Sequence, residues 1–399
     1  MKSDRRDTRI IFICWLAYTS AYIGRLNFSA SNIAIIDALG ATKSEAGLVS
    51  SFFFFAYGTG QLVNGILSKH YNAKYMIFGA LTVSSVLNLL MPLCADISVM
   101  KYIWLANGIA QSVLWSTLIK TLSELLPDKK LPSAILAMST TVAVGTLVSY
   151  GVSALFVRFG IWQAVFYIAS VILLVSAFVW LSLYGPSEKK APEIKKIKTD
   201  KTKTSRAVAF ALVLAAFAGV ANGFIKDGIT TWVPSVFYEE FGLTQSFSIL
   251  LTLMLPMVST LGASIVKKIH EKIKTHATMN MIFFAISAVL CVGIIFSLKI
   301  RSLPAIMVCF IGVACLMSMV NNVITSMFAL DYRQHLNAGF AAGLLNTFCY
   351  IGSTTTTYAL GAISQSKGWN TVFTIILAVS VAASVICFAG LAAEKKEKN

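Results

Sequence analysis

The sequence has little charge, and acidic side chains are the scarcer sign. Only 13% of its 399 residues are Asp, Glu, Lys or Arg, and 17 acidic residues stand against 33 basic ones. Soluble domains average about 25% charged residues. Because 57% of the residues are hydrophobic and long apolar runs recur from end to end, the composition excludes a sizeable soluble domain and predicts a membrane protein.

The chain also lacks the motifs of enzymes and of nucleotide or metal sites. It contains no Walker sequence, catalytic triad or metal-binding spacing, and its seven cysteines form no CxxC pair. Most of these cysteines lie inside apolar runs, where they are expected to be small buried hydrophobic residues. We therefore expect no enzymatic activity, no metal and no cofactor.

Twelve apolar runs follow one another along the chain, and each is long enough to cross a hydrocarbon core of about 30 Å. The basic start and first apolar run resemble a signal peptide, but the run is too long, so we predict an uncleaved first span. The predicted fold class is an all-α membrane protein with twelve transmembrane helices. The predicted spans are 10–36, 45–68, 75–94, 102–126, 133–157, 163–185, 207–236, 246–266, 277–298, 303–330, 338–364 and 370–392.

A polar, lysine-rich segment at residues 186–206 divides these spans six and six. We predict an N-terminal six-helix bundle at residues 1–185, a basic cytoplasmic linker at 186–206 and a C-terminal bundle at 207–399. The halves resemble each other, since GTLVSYGVSALFVRFGIWQAVF from Gly145 matches GSTTTTYALGAISQSKGWNTVF from Gly352. Internal repeats of this kind are typical of secondary transporters, whose site lies between the repeats near the midplane.

Lysine and arginine placement predicts the orientation. If both termini are cytoplasmic, most basic residues lie in cytoplasmic segments and few lie in the outer loops, as the positive-inside rule requires. We therefore expect a multi-pass protein of the cytoplasmic membrane with both termini inside. The basic excess is then a topology signal and an attraction to anionic lipid, not a nucleic-acid site, and a monomer is expected.

Three basic residues lie within the predicted spans: Arg25, Lys120 and Lys226. A central Arg or Lys costs roughly 2.5–3.5 kcal/mol on insertion scales and usually faces a partner or a water-filled cavity. Lys120 is near a span end with Glu124 at i+4, which favours an ion pair. Arg25 and Lys226 lie deep, and Asp227 is the only deep acid. The positive excess predicts an anionic substrate, with ion pairing inside the protein as the alternative.

Polar side chains recur at helical spacing in four of the spans. They form stripes that could line a central aqueous cavity, although interhelical hydrogen bonding would explain any one of them alone. The stripes consist of Tyr18, Tyr22 and Arg25; Tyr57 and Gln61; Asn107, Gln111 and Trp115; and Asn346, Tyr350 and Thr354.

The architecture resembles the major facilitator superfamily, and within it the organophosphate:phosphate antiporters of glycerol 3-phosphate and hexose phosphates. The resemblance covers nearly the whole chain and lies in RLNF, AYGTGQLVNGILSKHYNAK, AQSVLWSTLIKT, GFIKDGITTWVP and NAGFAAGLLNTFCYIGS. It implies two pseudo-symmetric six-helix bundles that alternate access to a central site, in which one basic residue from each half clamps phosphate. Those residues match Arg25 and Lys226, and family tyrosines match Tyr18, Tyr22, Tyr57 and Tyr350.

Four positions depart from that family pattern. Leu26 replaces a second basic residue, Gln61 a lysine and Val142 a histidine, while Lys69 stands where an acid is expected. Because these changes make the site less cationic, a monoanionic or carboxylate-bearing solute is an alternative to a phosphate ester. Lys226 in an arginine position also loses the planar fork that grips phosphate bidentately.

The predicted function is therefore transport of a small organic anion by alternating access, with inorganic phosphate as a counter-substrate only by resemblance. Two alternatives remain open. One is a proton- or cation-coupled symporter of a carboxylate, for which Asp227 is the candidate coupling residue. The other is a transporter-like membrane sensor that binds a solute and signals to a partner.

Overall fold

A computed structural model describes residues 2–67, 71–127, 129–185, 206–273, 275–332 and 338–398. The predicted linker at 186–206 lies outside this part, except for Arg206, at which a helix begins. Nearly all of the described residues are helical. The helices are α1 Lys2–Leu39, α2 Lys43–Leu67, α3 Ala73–Leu90, α4 Ile97–Ser112, α5 Leu114–Leu125, α6 Leu131–Arg158, α7 Trp162–Leu183, α8 Arg206–Phe241, α9 Gln245–Thr252, α10 Met254–Lys272, α11 His276–Lys299, α12 Leu303–Asn322, α13 Phe328–Asp331 and α14 Ala338–Lys398.

These helices form the twelve predicted spans. Three spans are interrupted: α4 and α5 make span 4, α9 and α10 make span 8, and α12 continues through a π-helical turn at Val323–Met327 into α13 to make span 10. Spans 11 and 12 are both contained in α14. In the described part, nine stretches are long and apolar enough to cross a membrane, one of which, Ala341–Leu391, holds both final spans. The helix α1, which carries Arg25, and the α4–α5 pair complete the twelve.

The break positions have local causes. Pro256 lacks a backbone N–H and lies four residues after Thr252, so the helical bond to the Thr252 carbonyl cannot form, and α9 ends there. Gly368 adopts a φ of 76°, a left-handed conformation that suits glycine, and it turns the chain from span 11 into span 12. Pro234, by contrast, lies inside α8 without ending it.

The internal repeat is visible in the packing. A Cβ on Gly145 in span 5 would lie 2.4 Å from Cβ of Tyr22 in span 1, and a Cβ on Gly352 in span 11 would lie 2.0 Å from the Val220 carbonyl oxygen in span 7. Equivalent helix pairs therefore make close contacts at the two aligned glycines. The aligned tryptophans Trp162 and Trp369 are both buried at the starts of spans 6 and 12.

Each half has its own hydrophobic core. One cluster of buried residues runs through spans 7 to 12, from Val208 to Cys387. Two further clusters occupy spans 1 to 6, and one of them also takes in Ile249 and Leu253 of span 8. We call the side of the bundle that holds both chain ends the terminal side, and the opposite side the distal side.

Hydrogen bonds and an ion pair join the two halves on the distal side. Lys43 Nζ lies 2.6 Å from Glu239 Oε2, which also accepts a 2.9 Å hydrogen bond from Trp369 Nε1. We call these three residues the distal gate. The halves are further joined there by Asn32 Nδ2 to Thr231 O, Gln245 Nε2 to Asp37 Oδ2, Ser246 Oγ to Ala154 O and Ser51 Oγ to Thr354 O.

Candidate functional site

Arg25 is buried in the middle of α1, with 6% of its surface exposed, and aromatic rings surround its guanidinium. Its Cζ lies 4.1 Å from the centroid of the Tyr22 ring, 4.7 Å from that of Tyr57 and 5.8 Å from that of Phe53. Cation–π contacts of this kind partly replace the lost hydration of a buried cation. Among the described residues, however, neither Nε nor Nη2 of Arg25 has a hydrogen-bond partner.

Two unpaired donors on a buried cation are an unusual feature of a folded protein. A buried polar group without a partner costs about 1–3 kcal/mol, and more when it is charged. Unpaired groups of this kind need an explanation such as a catalytic or binding role. An anion would supply acceptors to both nitrogens of Arg25, and the geometry therefore fits a ligand that is itself negatively charged.

A buried amide network holds the backbone behind Arg25. The carbonyl oxygen of Gly24 accepts hydrogen bonds from Asn88 Nδ2 at 3.0 Å and Asn107 Nδ2 at 3.1 Å. Gln111 Nε2 donates to Ser84 Oγ at 2.9 Å and approaches the same carbonyl at 3.5 Å. These side chains come from α3 and α4, so they fix the turn of α1 that carries Arg25.

Lys226 has different surroundings from Arg25. It lies near the middle of α8, yet 43% of its side chain is exposed. Its Nζ is 4.0 Å from Asp227 Oδ1, at the outer limit of an ion pair, and Asp227 Oδ2 accepts a short hydrogen bond from Ser353 Oγ of α14. The ammonium group is therefore only partly neutralised by its neighbouring acid.

Arg25 and Lys226 are electrostatic neighbours across the interface between the halves. The electrostatic neighbours of Lys226 include Arg25 and Tyr22 of α1 as well as Asp227. Tyr350 of α14 packs against Tyr57 of α2 with ring centroids 5.0 Å apart. Basic and aromatic groups from both halves thus face a common central region.

Most of the side chains predicted from the sequence lie around this region. Tyr18 contacts both Tyr22 and Trp115, with ring centroids 5.1 and 4.8 Å apart. Gln61 Oε1 accepts a hydrogen bond from Asn346 Nδ2, which links α2 to α14. The role of these side chains in binding stays a prediction. The N-terminal half contributes Arg25, Tyr18, Tyr22, Tyr57, Gln61 and Trp115, and the C-terminal half contributes Lys226, Asn346 and Tyr350.

Gln111 is placed differently from the rest of its predicted stripe. Gln111 and Asn107 are buried and face α1 and α3 within the N-terminal half, whereas Trp115 reaches Tyr18. The break between α4 and α5 at Val113 separates Gln111 from Trp115. The geometry therefore favours a positioning role for Gln111, through the Gly24 carbonyl that precedes Arg25 and through Ser84.

Some contributors to the site were not predicted from the sequence. Phe53 lies beneath the Arg25 guanidinium, and Ser353 binds Asp227. Neither residue type marks a site in a chain rich in Phe and Ser. Phe53 stands four residues before Tyr57 on the same helical face, a spacing that could have indicated it.

A second polar cluster lies on the terminal side, where the sequence gives no metal-binding spacing. His276 Nε2 is 3.0 Å and His270 Nε2 is 3.5 Å from Asp331 Oδ2. The ligand atoms of these three residues all lie within 4.8 Å of one another. The sequence did not indicate this cluster, because Asp331 belongs to a different span, 55 residues after His276.

Comparison with known proteins identifies the family. The model of the Major Facilitator Superfamily matches residues 14–354, which is most of the chain. The chain belongs to the major facilitator superfamily. This membership confirms the fold expected from the sequence, with twelve transmembrane helices in two pseudo-symmetric bundles, and it makes the protein a transporter-family membrane protein rather than an enzyme.

Curated relatives of this superfamily member share low identity over nearly full length. A glycerol-3-phosphate transporter of Bacillus subtilis is 24% identical, over 93% of this chain and 89% of its own. A protein described as a probable hexose phosphate transport protein of Chlamydia muridarum is 18% identical over 94% and 89%. The membrane sensor protein UhpC of Escherichia coli is 22% identical over 94% and 89%.

Solved structures agree on the fold of this superfamily member. The inward-facing, unoccupied structure of a bacterial homologue of the human lysosomal transporter Spinster superimposes with a TM-score of 0.78. The similarity covers 97% of this chain and 96% of that one, at 14% sequence identity. At that identity the likeness concerns the fold alone.

Proposed function

We propose that the protein carries a small organic anion across the cytoplasmic membrane by alternating access. The observation that supports this most directly is the pair of buried Arg25 nitrogens, which have no hydrogen-bond partner among the described residues and lie opposite Lys226 at the interface of the halves. An anion that bridges the two cations would draw the halves together around it. Its departure would leave two like charges, whose repulsion favours separation of the halves.

The charge of the site bears on the class of anion. Arg25 and Lys226 are opposed by Asp227, which leaves one net positive charge in the central region. A carboxylate or the singly charged form of a phosphate monoester matches this balance, whereas the names of the relatives favour a phosphorylated solute. Exchange for inorganic phosphate is part of the same proposal, and it rests on the family resemblance.

The conformation described here fits one stage of such a cycle. With both termini in the cytoplasm, the distal side faces outward, and the distal gate together with the neighbouring hydrogen bonds joins the halves there. The solute would then reach Lys226 from the cytoplasmic side. The orientation follows from the distribution of Lys and Arg. The predicted division into bundles at 1–185 and 207–399 belongs to the same proposal.

The test uses purified protein in liposomes loaded with inorganic phosphate. Counterflow of labelled sugar phosphates, glycerol 3-phosphate and hexuronate-type carboxylates should identify at least one transported anion. Arg25→Gln or Lys226→Gln should then weaken its apparent affinity by about 10- to 100-fold, because each removes a charge-assisted hydrogen bond worth about 1.5–3 kcal/mol.

Lys120→Gln is the matched control, since Lys120 is also a basic residue within a span but lies closer to the terminal side in α5. It should keep the wild-type affinity. If both Arg25→Gln and Lys226→Gln transport with wild-type affinity, the anion does not bridge these residues and the proposal fails.

Asp227 supports a second mode, proton-coupled symport of a carboxylate. The acid contacts Lys226 and Ser353, so its protonation would free the lysine for the substrate. Asp227→Asn should then uncouple uptake from a pH gradient while exchange persists. A sensor, by contrast, would bind the anion but show no flux in liposomes under any gradient, an alternative that keeps its place because one relative is named a sensor.

A further inference from the structure

We propose that His270, His276 and Asp331 form a binding site for a divalent transition-metal ion such as Zn²⁺. The three residues come from three helix ends on the terminal side of the C-terminal half. His270 lies in the last turn of α10, His276 is the first residue of α11 and Asp331 is the last residue of α13. The site is separate from the central region and independent of the transported solute.

The spacing of the ligand atoms suits a tetrahedral ion. Zn²⁺ binds imidazole nitrogen and carboxylate oxygen at about 2.0–2.2 Å, so two ligand atoms in a tetrahedral shell are about 3.4 Å apart. The two His Nε2 atoms lie 3.0 and 3.5 Å from Asp331 Oδ2. An ion placed between the three groups would therefore require only small side-chain movements.

The ligand set also has the right chemistry. Two imidazoles and a carboxylate suit zinc and similar transition metals, whereas Ca²⁺ and Mg²⁺ prefer oxygen ligands. Three protein ligands leave the fourth position for water. The Asp331 side chain is 47% exposed and that of His270 is 26% exposed, so water reaches this position.

Ring contacts among the described residues hold the two histidines of the cluster in place. The His276 ring is buried and packs against Phe328 and Tyr332, with centroids 5.8 and 6.2 Å away. The two imidazoles stack with planes 14° apart. The exposed lysines Lys267, Lys268 and Lys272 lie in the same helix as His270, yet in the part of the chain that the structure describes, the ion-pair partners of Asp331 are the two histidines.

His270 is also able to present its Nε2 lone pair to a metal. Its buried Nδ1 has no hydrogen-bond partner among the described residues, so no acceptor or donor fixes the ring in one tautomer. Binding at Nε2 requires only that the proton move to Nδ1. An ion held by the three residues would connect the ends of spans 8, 9 and 10.

The experiment measures metal binding by the full-length protein, purified in detergent with a tag that contains no histidine. Zn²⁺ is titrated against a chromophoric chelator after removal of bound metal. We expect one ion per chain, and a loss of affinity of at least about 10- to 100-fold, the cost of even an indirect ligand perturbation, in His270→Gln, His276→Gln and Asp331→Asn. Each variant must match the wild-type elution profile and helical content.

His70→Gln is the control. In the sequence His70 lies just after predicted span 2, as His270 lies just after predicted span 8. It should bind Zn²⁺ as the wild type does.

Co²⁺ provides a second readout, since a tetrahedral site gives intense visible absorption that Asp331→Asn should abolish. The proposal is overturned if the wild type binds no stoichiometric Zn²⁺, or if the three variants bind it as tightly as the wild type.

Discussion

Breaking the distal gate should shift the protein toward a conformation that is open on the distal side. Lys43 Nζ lies 2.6 Å from Glu239 Oε2 and 5.1 Å from the centroid of the Trp369 ring. Glu239 is further held by the 2.9 Å hydrogen bond from Trp369 Nε1. Since Lys43 belongs to α2 and the other two residues to spans 7 and 12, the gate joins the two halves.

The magnitude follows from the burial of the pair. Exposed ion pairs contribute about 0.2–1 kcal/mol, and hydrogen bonds to charged groups contribute about 1.5–3 kcal/mol. The side chains of Lys43 and Glu239 are 18% and 32% exposed, which places the pair between these ranges, at about 1.5 kcal/mol. Because about 1.4 kcal/mol is a factor of ten, Lys43→Met should lower the ratio of distal-closed to distal-open protein about tenfold.

The assay is a distance measurement between spin labels on the distal loops of the two halves. Cysteines at Ala95 and Lys299, both exposed, carry the labels in a background without the seven native cysteines. Lys43→Met and Glu239→Gln should each add a population at longer distance, and the swapped pair Lys43→Glu with Glu239→Lys should remove it again. Glu240→Gln, at the next position, is the control. Unchanged distance distributions in both single variants would refute the assigned role of the gate.

Two further predictions concern one contact in the central region and one on its distal side. The buried hydroxyl of Tyr57 has no hydrogen-bond partner among the residues that the structure describes. Tyr57→Phe should therefore leave thermal stability unchanged but weaken anion affinity about 10-fold or more if the hydroxyl binds the anion; equal affinity would remove Tyr57 from the site. A Cβ on Gly47 would lie 2.2 Å from Thr357 O, whereas one on Gly79 meets no atom within 4 Å. Gly47→Ala should therefore oppose distal closure by about 1–3 kcal/mol in the same spin-label assay, and Gly79→Ala should not.

The spans and the repeat could be predicted from the sequence because their causes are local. Twenty apolar residues must form a helix in lipid, where each backbone group needs an internal partner. The match between Gly145 and Gly352 was readable since close helix contacts require glycine at fixed positions. The interruptions of spans 4 and 10 were not predicted, because no proline or glycine lies at Val113 or Val323.

The candidate site could be predicted only in part. Arg25 and Lys226 were recognisable because a charge in an apolar helix is costly and needs a reason. Gln111 was assigned to the cavity by helical spacing. Spacing shows which side chains share a helix face, but it does not show what that face packs against. In the structure, the face that carries Gln111 packs against α1 and α3. In the sequence, Lys43 is one of several basic residues between predicted spans, whereas the structure pairs it with Glu239, 196 residues away.

The sequence by itself determined the membrane location, the twelve spans, the twofold repeat and the presence of two deep cations, since each depends on composition or spacing along the chain. Only the tertiary structure decided how those cations are surrounded. Arg25 is buried against Tyr22 and Tyr57, with two nitrogens that find no hydrogen-bond partner in the described part of the chain, whereas Lys226 is partly exposed beside Asp227. The same holds for the distal gate and for the His270, His276 and Asp331 cluster. Their members lie far apart in the chain, and only the packing of the spans brings them within bonding distance.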